Sequence, residues 1–187
     1  MSFLKGWKHF ATITHHRWLV RQGCFRVGLY WQGLTHDLSK YSPTEFFCGM
    51  QYFQGTRSPN TAEREVKGYS ESRMHHKGRN RHHYEYWCDL SLETRQYEYK
   101  PMPRKYLVEM VMDRRAACMV YQGENYTPGS ALAYLENSRE KNFMNPETVR
   151  QLRYILTMLQ DEGEEKTFRY LRKYVLRGKP FPWEEDV

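Results

Sequence analysis

The amino-acid sequence predicts an all-α fold. Helix start and stop signals recur along the 187 residues, and apolar residues follow a helical spacing between them. Strand signals are poor, because no Asn-Gly or Asp-Gly turn separates alternating apolar runs and no internal repeat is present. We therefore expect one domain over residues 1–187, with a helical-bundle core at about 7–125 and a C-terminal helical hairpin at about 145–178.

Two helices are predicted at the N-terminus. The first has an apolar face at helical spacing, formed by Trp7, Phe10, Ala11, Thr14 and Trp18. Gly23 is expected to separate this helix from a second one, which runs from about Cys24 to Thr35. His36 and Asp37 then close the second helix.

The clearest helix starts place a proline or a capping residue at the first turn. Ser42-Pro43-Thr44-Glu45 predicts an N-cap, with the glutamate closing a capping box, ahead of a helix that stops at Gly55. Asn145-Pro146 predicts another start, with a helix interrupted at Gly163. Pro103 opens a helix of roughly 16 residues with Asp113 in its middle. Between these helices, Ser58-Pro59 and Asn80 are candidate caps of short helices in a loop-rich region, the second of them holding Tyr84 to Leu90.

Composition narrows the class of protein. The mean hydropathy is -0.88 and no run approaches 18 uncharged apolar residues, so we expect no membrane span. Lys5, Lys8 and His9 lie where a signal peptide needs its apolar stretch, so the cytoplasm is the expected compartment. A net charge of +7 favours anionic partners such as phosphate esters, nucleotides or nucleic acid. The four cysteines have neither zinc-knuckle nor disulfide-framework spacing, and we expect free, buried thiols.

The histidines are clustered in a way that indicates metal binding. Seven of the eight lie in three groups: His15-His16, His36 in the string His36-Asp37-Leu38-Ser39-Lys40, and His75-His76 with His82-His83. Imidazole and carboxylate ligands suit Fe, Mn, Zn, Co or Ni. Adjacent residues point about 100° apart on a helix, so His36 and Asp37 can reach one ion only at a helix end. The sequence thus predicts a site for one or two divalent transition metal ions.

The same residues resemble the HD-domain metal-dependent phosphohydrolases: an early His, a His-Asp pair with a Lys three positions on, and a later Asp on a helix. This resemblance implies an HD-like helical bundle whose first ion is held by His16, His36, Asp37 and Asp113, with Asp37 and Lys40 also taking part in catalysis. Dinuclear members add two histidines before the final Asp, which then bridges or shares the second ion. His76 and His82 are assigned to those positions, with His75 and His83 the alternatives within each pair.

A narrower resemblance is carried by the strings HDLSKYSPTEF, GYS, HHKGRNRHHYEYW and EMVMDRRAA. They are similar to a family of bacterial and phage proteins known only as a domain of unknown function, over about residues 10–130. This similarity favours His16 over His15 as the ligand, because His16 precedes Arg17-Trp18-Leu19-Val20. It implies no reaction.

The leading functional hypothesis is hydrolysis of a phosphate ester or nucleotide, with a small phosphorylated molecule as substrate. The remaining residues of the cluster are then candidates for catalysis (His83) or for substrate binding (His75, Lys77, Arg79 and Arg81). One alternative is an HD-type diiron oxygenase with the same ligands. Another, less favoured, is a basic nucleic-acid-binding or structural module in which HHKGRNRHH binds phosphate or RNA.

Overall fold

The fold is all-α, as the sequence predicts. The computed structural model describes residues 3–184, which form eight α-helices: α1 (Phe3–Val27), α2 (Tyr30–Thr35), α3 (Pro43–Tyr52), α4 (Pro59–Lys67), α5 (Glu71–Lys77), α6 (Arg104–Gln122), α7 (Ser130–Asn137) and α8 (Pro146–Lys173). Among these residues no helix is both long and apolar enough to cross a membrane. All four cysteines are free thiols, and Cys24 and Cys118 are buried.

The loop-rich region contains a small sheet that the sequence did not predict. Strands β1 (Cys88–Leu90) and β2 (Tyr97–Tyr99) pair antiparallel, with Asp89 opposite Glu98. The prediction of a helix from Tyr84 to Leu90 is wrong, because Tyr84–Trp87 form only a short 3-10 helix before β1. The Asn80 amide instead donates to Ser39 Oγ and to the His76 carbonyl, each at 2.8 Å. Its side chain therefore ties this loop to the residues after the His-Asp pair.

Helix α1 continues through Gly23 to Val27, so the predicted break at Gly23 is wrong. The chain turns at Gly28, whose φ of 90° favours glycine. At Gly23, α1 packs closely against α6, and a Cβ there would lie 2.7 Å from Met112 Sδ. Gly23 thus serves close helix packing and does not end the helix.

The predicted apolar face of α1 is wrong as well. Trp7 and Trp18 are 61% and 44% exposed. The buried face consists of Gly6, His9, Ile13, His16, Leu19, Val20, Gly23, Cys24 and Val27. Because two of these are histidines and two are glycines, the buried face lacks the apolar periodicity that marks an ordinary core helix.

Helix starts that depend on local chemistry are confirmed. In α3, Ser42 Oγ accepts from the Glu45 N–H at 3.4 Å, and in α8, Asn145 Oδ1 accepts from the Glu147 N–H at 3.0 Å. Helix α6 follows Pro103 directly. Gly163 has non-helical φ and ψ of 76° and 177°, which interrupts α8 at the predicted position.

The hydrophobic core lies among α1, α6, α7 and α8. Its fully buried members include Val20, Leu107, Val111, Leu135, Leu152, Ile155, Leu156, Leu159 and Leu171. Helix α1 packs along α6, and this pair carries polar residues beside the core. The packing therefore fixes two of the walls from which the histidine and aspartate side chains project.

Candidate metal centre

Separate chain segments bring the predicted ligands together. They are His16 on α1, the His36-Asp37 pair after α2, His76 on α5, His82 and His83 in the loop after α5, and Asp113 on α6. All of them except His83 and Asp113 are buried, and those two are partly buried. Their donor atoms form two groups that share one residue, and a third set joins His36 and His82 to Glu109.

The first group contains His16, His36, Asp37 and Asp113, whose donor atoms all lie within 4.8 Å of one another. His16 Nε2 is 3.0 Å from Asp113 Oδ1. His36 Nε2 is 3.5 Å from Asp37 Oδ2 and 3.6 Å from Asp113 Oδ1. The structure therefore assembles the four residues predicted for the first ion, while His15 is exposed.

The second group contains Asp37, His76, His82 and His83. His76 Nε2 and His82 Nε2 each lie 3.3 Å from Asp37 Oδ1. His83 Nε2 lies 2.9 Å from His76 Nε2, so both histidines of the His82-His83 pair reach this group. The sequence predicted His83 as a catalytic residue and as the alternative to His82 for the second ion, and its position makes both histidines candidate ligands.

Asp37 is the residue that the two groups share. Its Oδ2 faces His36, and its Oδ1 faces His76 and His82. The resemblance to HD proteins assigned the sharing role to the final Asp, but Asp113 comes no nearer to His82 than 3.9 Å. Asp37 adopts a left-handed backbone with φ of 51° and ψ of 27°, which Asp tolerates better than most residues. This turn at the helix end brings two adjacent side chains, His36 and Asp37, to the same centre.

Five buried atoms of these groups lack a hydrogen bond of normal geometry. They are Nε2 of His16, His36 and His82 and both carboxylate oxygens of Asp37. The short ion-pair distances, including 2.7 Å from Lys40 Nζ to Asp37 Oδ2, do not satisfy them as aligned hydrogen bonds. Buried polar groups are almost always paired, and each unpaired one costs roughly 1–3 kcal/mol. Cations bound at the two groups would satisfy all five.

Two glutamates contact the Nδ1 atoms of the histidines, on the side of each ring away from Nε2. Glu109 Oε1 lies 2.9 Å from His36 Nδ1 and 3.2 Å from His82 Nδ1. Glu45 contacts His76 Nδ1 at 2.8 Å and His75 Nδ1 at 2.7 Å. Metal-binding histidines usually give their second ring N–H to a carboxylate, which fixes the tautomer and leaves Nε2 free to bind the ion. Glu109 therefore prepares Nε2 of His36 and His82 as ligand atoms, and Glu45 does the same for His76.

Neither role of these glutamates was predicted from the sequence. Glu109 precedes Asp113 by one helical turn, which is the only signal that points to it. Glu45 was assigned to a capping box, and its backbone N–H does meet Ser42 Oγ. Its side chain turns to His75 and His76 and does not close the box.

The electrostatics of the centre favour a cation. Burial raises the pKa of Asp37 and Asp113, but neighbouring histidines and, for Asp37, Lys40 hold both pKa values well below the usual range. Burial lowers the pKa of His36, but the negative charges of Asp37 and Asp113 have a larger effect and raise this pKa to about 10. For His16, burial and the charge of Lys40 outweigh the opposing effect of Asp113, so the pKa is lowered. Both carboxylates are therefore ionised at neutral pH in a buried centre.

A cavity of about 490 Å³ is lined by residues of both groups, including His16, His76, His83 and Asp113. Lys40 also lines it, with a side chain that is 31% exposed. Small-molecule sites are typically clefts of roughly 300–1,000 Å³. The volume is therefore suitable for a compact ligand in contact with the donor groups.

The predicted substrate-binding residues of the HHKGRNRHH segment divide into two sets. Lys77 lines the cavity, and its Nζ lies 2.8 Å from His83 Nδ1. Arg79, Arg81 and His75 are not among the lining residues. Arg81 instead donates to Tyr86 and Tyr106 hydroxyls at 3.2 and 3.1 Å, and Arg79 donates to the His75 carbonyl. These two arginines follow the end of α5 and are exposed at the surface. The cavity is instead lined by Arg73 and Arg114, which were not predicted from the sequence.

Fold and site together define an all-α protein with a buried histidine–aspartate centre beside a cavity. The model of DUF5662, a family of unknown function, matches residues 5–158, and the chain belongs to this family. The match includes every member of the two donor groups, from His16 to Asp113. Comparison with curated proteins and with solved structures gave no match.

Proposed function

We propose that the protein is an HD-like, metal-dependent phosphohydrolase that holds two divalent transition metal ions and acts on a small phosphorylated molecule. The observation that carries the proposal is the set of five buried, unsatisfied ligand atoms on His16, His36, Asp37 and His82. The first ion is assigned to the group around His16, and the second to the group around His76. Asp37 would hold both, since its two oxygens face different groups. Nitrogen and carboxylate donors of this kind suit Fe, Mn, Zn, Co or Ni.

Bound ions of this class lower the pKa of coordinated water to about 7 and draw charge from phosphoryl oxygens. The chain's own residues supply the rest. Glu109 and Glu45 hold the imidazoles in one orientation. Lys40 and Lys77 place positive charge on the cavity wall, where they meet the negative charge of a phosphoryl group. His83, which lies between His76 and Lys77, is either a further ligand or a proton-transfer group.

Elemental analysis of the untagged protein, combined with an assay of phosphate release from a panel of nucleotides and phosphate esters, tests the proposal. We expect close to two metal ions per chain. Phosphate release should stop when a chelator removes these ions. The variant Asp37→Asn should lose both metal and activity. Asp161→Asn, an exposed carboxylate on α8, is the matched control and should lose neither. A protein without metal, or one that is active without it, would contradict the proposal.

The nitrogen-rich donor set favours one second candidate. Five histidines and two aspartates with imidazole or carboxylate donors also suit a pair of iron ions, as in an HD-type oxygenase. Iron as the native metal, with substrate-dependent oxygen uptake and no phosphate release, would establish this reaction. A nucleic-acid-binding module would instead show binding that weakens steeply with salt and is insensitive to Asp37→Asn.

A further inference from the structure

A second set of charged residues lies on the cavity wall beside the donor groups. Arg73, Lys77 and Arg114 line the cavity together with Glu140. Arg73 donates to Glu85 at 2.8 Å, and Arg114 Nη2 donates to Glu140 Oε2 at 3.1 Å. Lys77 Nζ lies 3.1 Å from the other oxygen of Glu85. Three cations thus face two carboxylates, and the set has an excess of positive charge.

Arg114 is not saturated by these contacts. Its side chain is only 10% exposed, yet Nε and Nη1 have no hydrogen-bond partner. A guanidinium group stays charged and offers five N–H donors in a planar fork. The ring of Tyr134 lies 5.8 Å from the guanidinium carbon and supplies no acceptor for these donors. An oxyanion is the ligand that best satisfies a buried, positively charged pair of donors.

This wall lies close to the proposed metal centre. Arg114 follows Asp113 directly on α6. Lys77 Nζ lies 2.8 Å from His83 Nδ1, and His83 Nε2 lies 2.9 Å from His76 Nε2. The ammonium group of Lys77 therefore contacts a member of the second donor group directly. The same cavity is lined by Arg114 and by members of both donor groups, so one compact molecule in it is within range of all of them.

We propose that Arg114, with Arg73 and Lys77, forms an oxyanion subsite for a second anionic group of the substrate. The substrate class is then a small molecule with two anionic groups: the reacting phosphate at the donor groups, and a second phosphate or a carboxylate at Arg114. The assignment of the reacting phosphate rests on the proposed function. The subsite itself rests on the unpaired donors and the excess charge, which are independent of the reaction.

Calorimetric titration of the chelator-treated protein with inorganic phosphate, and separately with malonate, tests the subsite without using activity. We expect phosphate to bind the wild type, and Arg114→Gln to weaken binding about tenfold or more, because a charge-assisted contact is lost. Arg172→Gln removes the same charge from an exposed position on α8 that does not line the cavity. Its phosphate affinity should equal that of the wild type. Tighter malonate than phosphate binding would assign the second group as a carboxylate, and the reverse would assign it as a phosphate.

Glu140→Gln gives a test of opposite sign. Glu140 competes for Arg114 at 3.1 Å and for Arg73 at 3.5 Å, so its neutralisation should tighten phosphate binding. A variant that merely loses structure cannot gain affinity. The subsite is overturned if Arg114→Gln and Glu140→Gln both bind phosphate as the wild type does, even in a protein that holds metal and hydrolyses esters. A metal-free, inactive wild type whose phosphate binding still depends on Arg114 would overturn the proposed function and support the subsite.

Discussion

Replacement of Asp37 by asparagine tests the metal centre with the least disturbance of the fold. Asparagine has nearly the same shape as aspartate, and it also tolerates the left-handed backbone that Asp37 adopts at φ of 51°. The substitution removes a negative charge and replaces one oxygen with an amide nitrogen, which is not a ligand. Because the two oxygens of Asp37 face different donor groups, we expect weaker binding of both ions.

The size of the effect follows from linkage between binding and folding. An ion that binds only the folded chain adds about 2.7 kcal/mol at a concentration 100 times its Kd. Two such ions add about 5 kcal/mol, and in a domain of this size 1 kcal/mol corresponds to about 2–4 °C in Tm. We therefore expect metal to raise the Tm of the wild type by about 10–20 °C, and that of Asp37→Asn by a small fraction of this.

The measurement is a thermal melt at graded metal concentrations against a chelator baseline. The shift caused by metal is compared between variants, because the absolute Tm also changes when a carboxylate beside His36 and Lys40 is removed. Asp161→Asn should retain the full shift, because the exposed Asp161 carboxylate accepts a hydrogen bond from the adjacent Gln160 side chain and lies outside both donor groups. If Asp37→Asn shows the same shift and the same metal content as the wild type, Asp37 is not a ligand and the shared centre does not exist.

Four further substitutions test other parts of the structure. His76→Ala should reduce the metal content from about two ions per chain to about one, as measured by elemental analysis, whereas His75→Ala should retain both ions, since His75 is not in either donor group. Glu109→Gln should weaken metal binding about 10–100-fold in a chelator competition, because it loses the charged acceptor of two imidazoles. Gly23→Val should lower the free energy of unfolding in denaturant by about 1–3 kcal/mol, through overlap with Met112. A Gly23→Val variant as stable as the wild type would mean that α1 and α6 do not pack as closely as described.

Local chemistry explains what the sequence predicted correctly. A side-chain cap followed by proline acts within one turn, so the starts of α3 and α8 could be located from a few residues. The position of His36 and Asp37 at a helix end followed from a geometric constraint on adjacent side chains. The association of His16 with Asp113 could be predicted only from the resemblance, because nothing local relates residues on two separate helices.

Tertiary context explains what the sequence did not reveal. Helix α1 turns two histidines inward and Trp7 and Trp18 outward, so its hydrophobic pattern indicated the wrong face. Glu109 and Arg114 are two of several charged residues on α6. Their roles depend on contacts with other segments, which the sequence does not show. Strands of three residues, such as β1, are too short to show alternation.

The centre should also determine how stability is distributed over the fold. Among the described residues, the main hydrophobic core includes none of residues 30–83. The buried residues of that segment are small or polar, and include His36, Asp37, Glu45, Glu63 and His76. Aromatic contacts such as Phe10 with Phe46 also join this segment to α1, but they lie outside the main core. The polar centre therefore contributes a large part of the attachment to α1 and α6, and unpaired ligand atoms make this attachment costly to maintain without an ion.

Hydrogen exchange measures this dependence directly. Removal of metal should increase exchange in α3 and α5 well before exchange in the parts of α1, α6 and α8 that form the core, because local opening follows the density of buried apolar contacts. The Asp37→Asn variant should show the exchange pattern of the metal-free protein with or without added metal. Uniform loss of protection across both regions would mean that the domain opens as one unit, and would contradict an attachment of residues 30–83 through the centre.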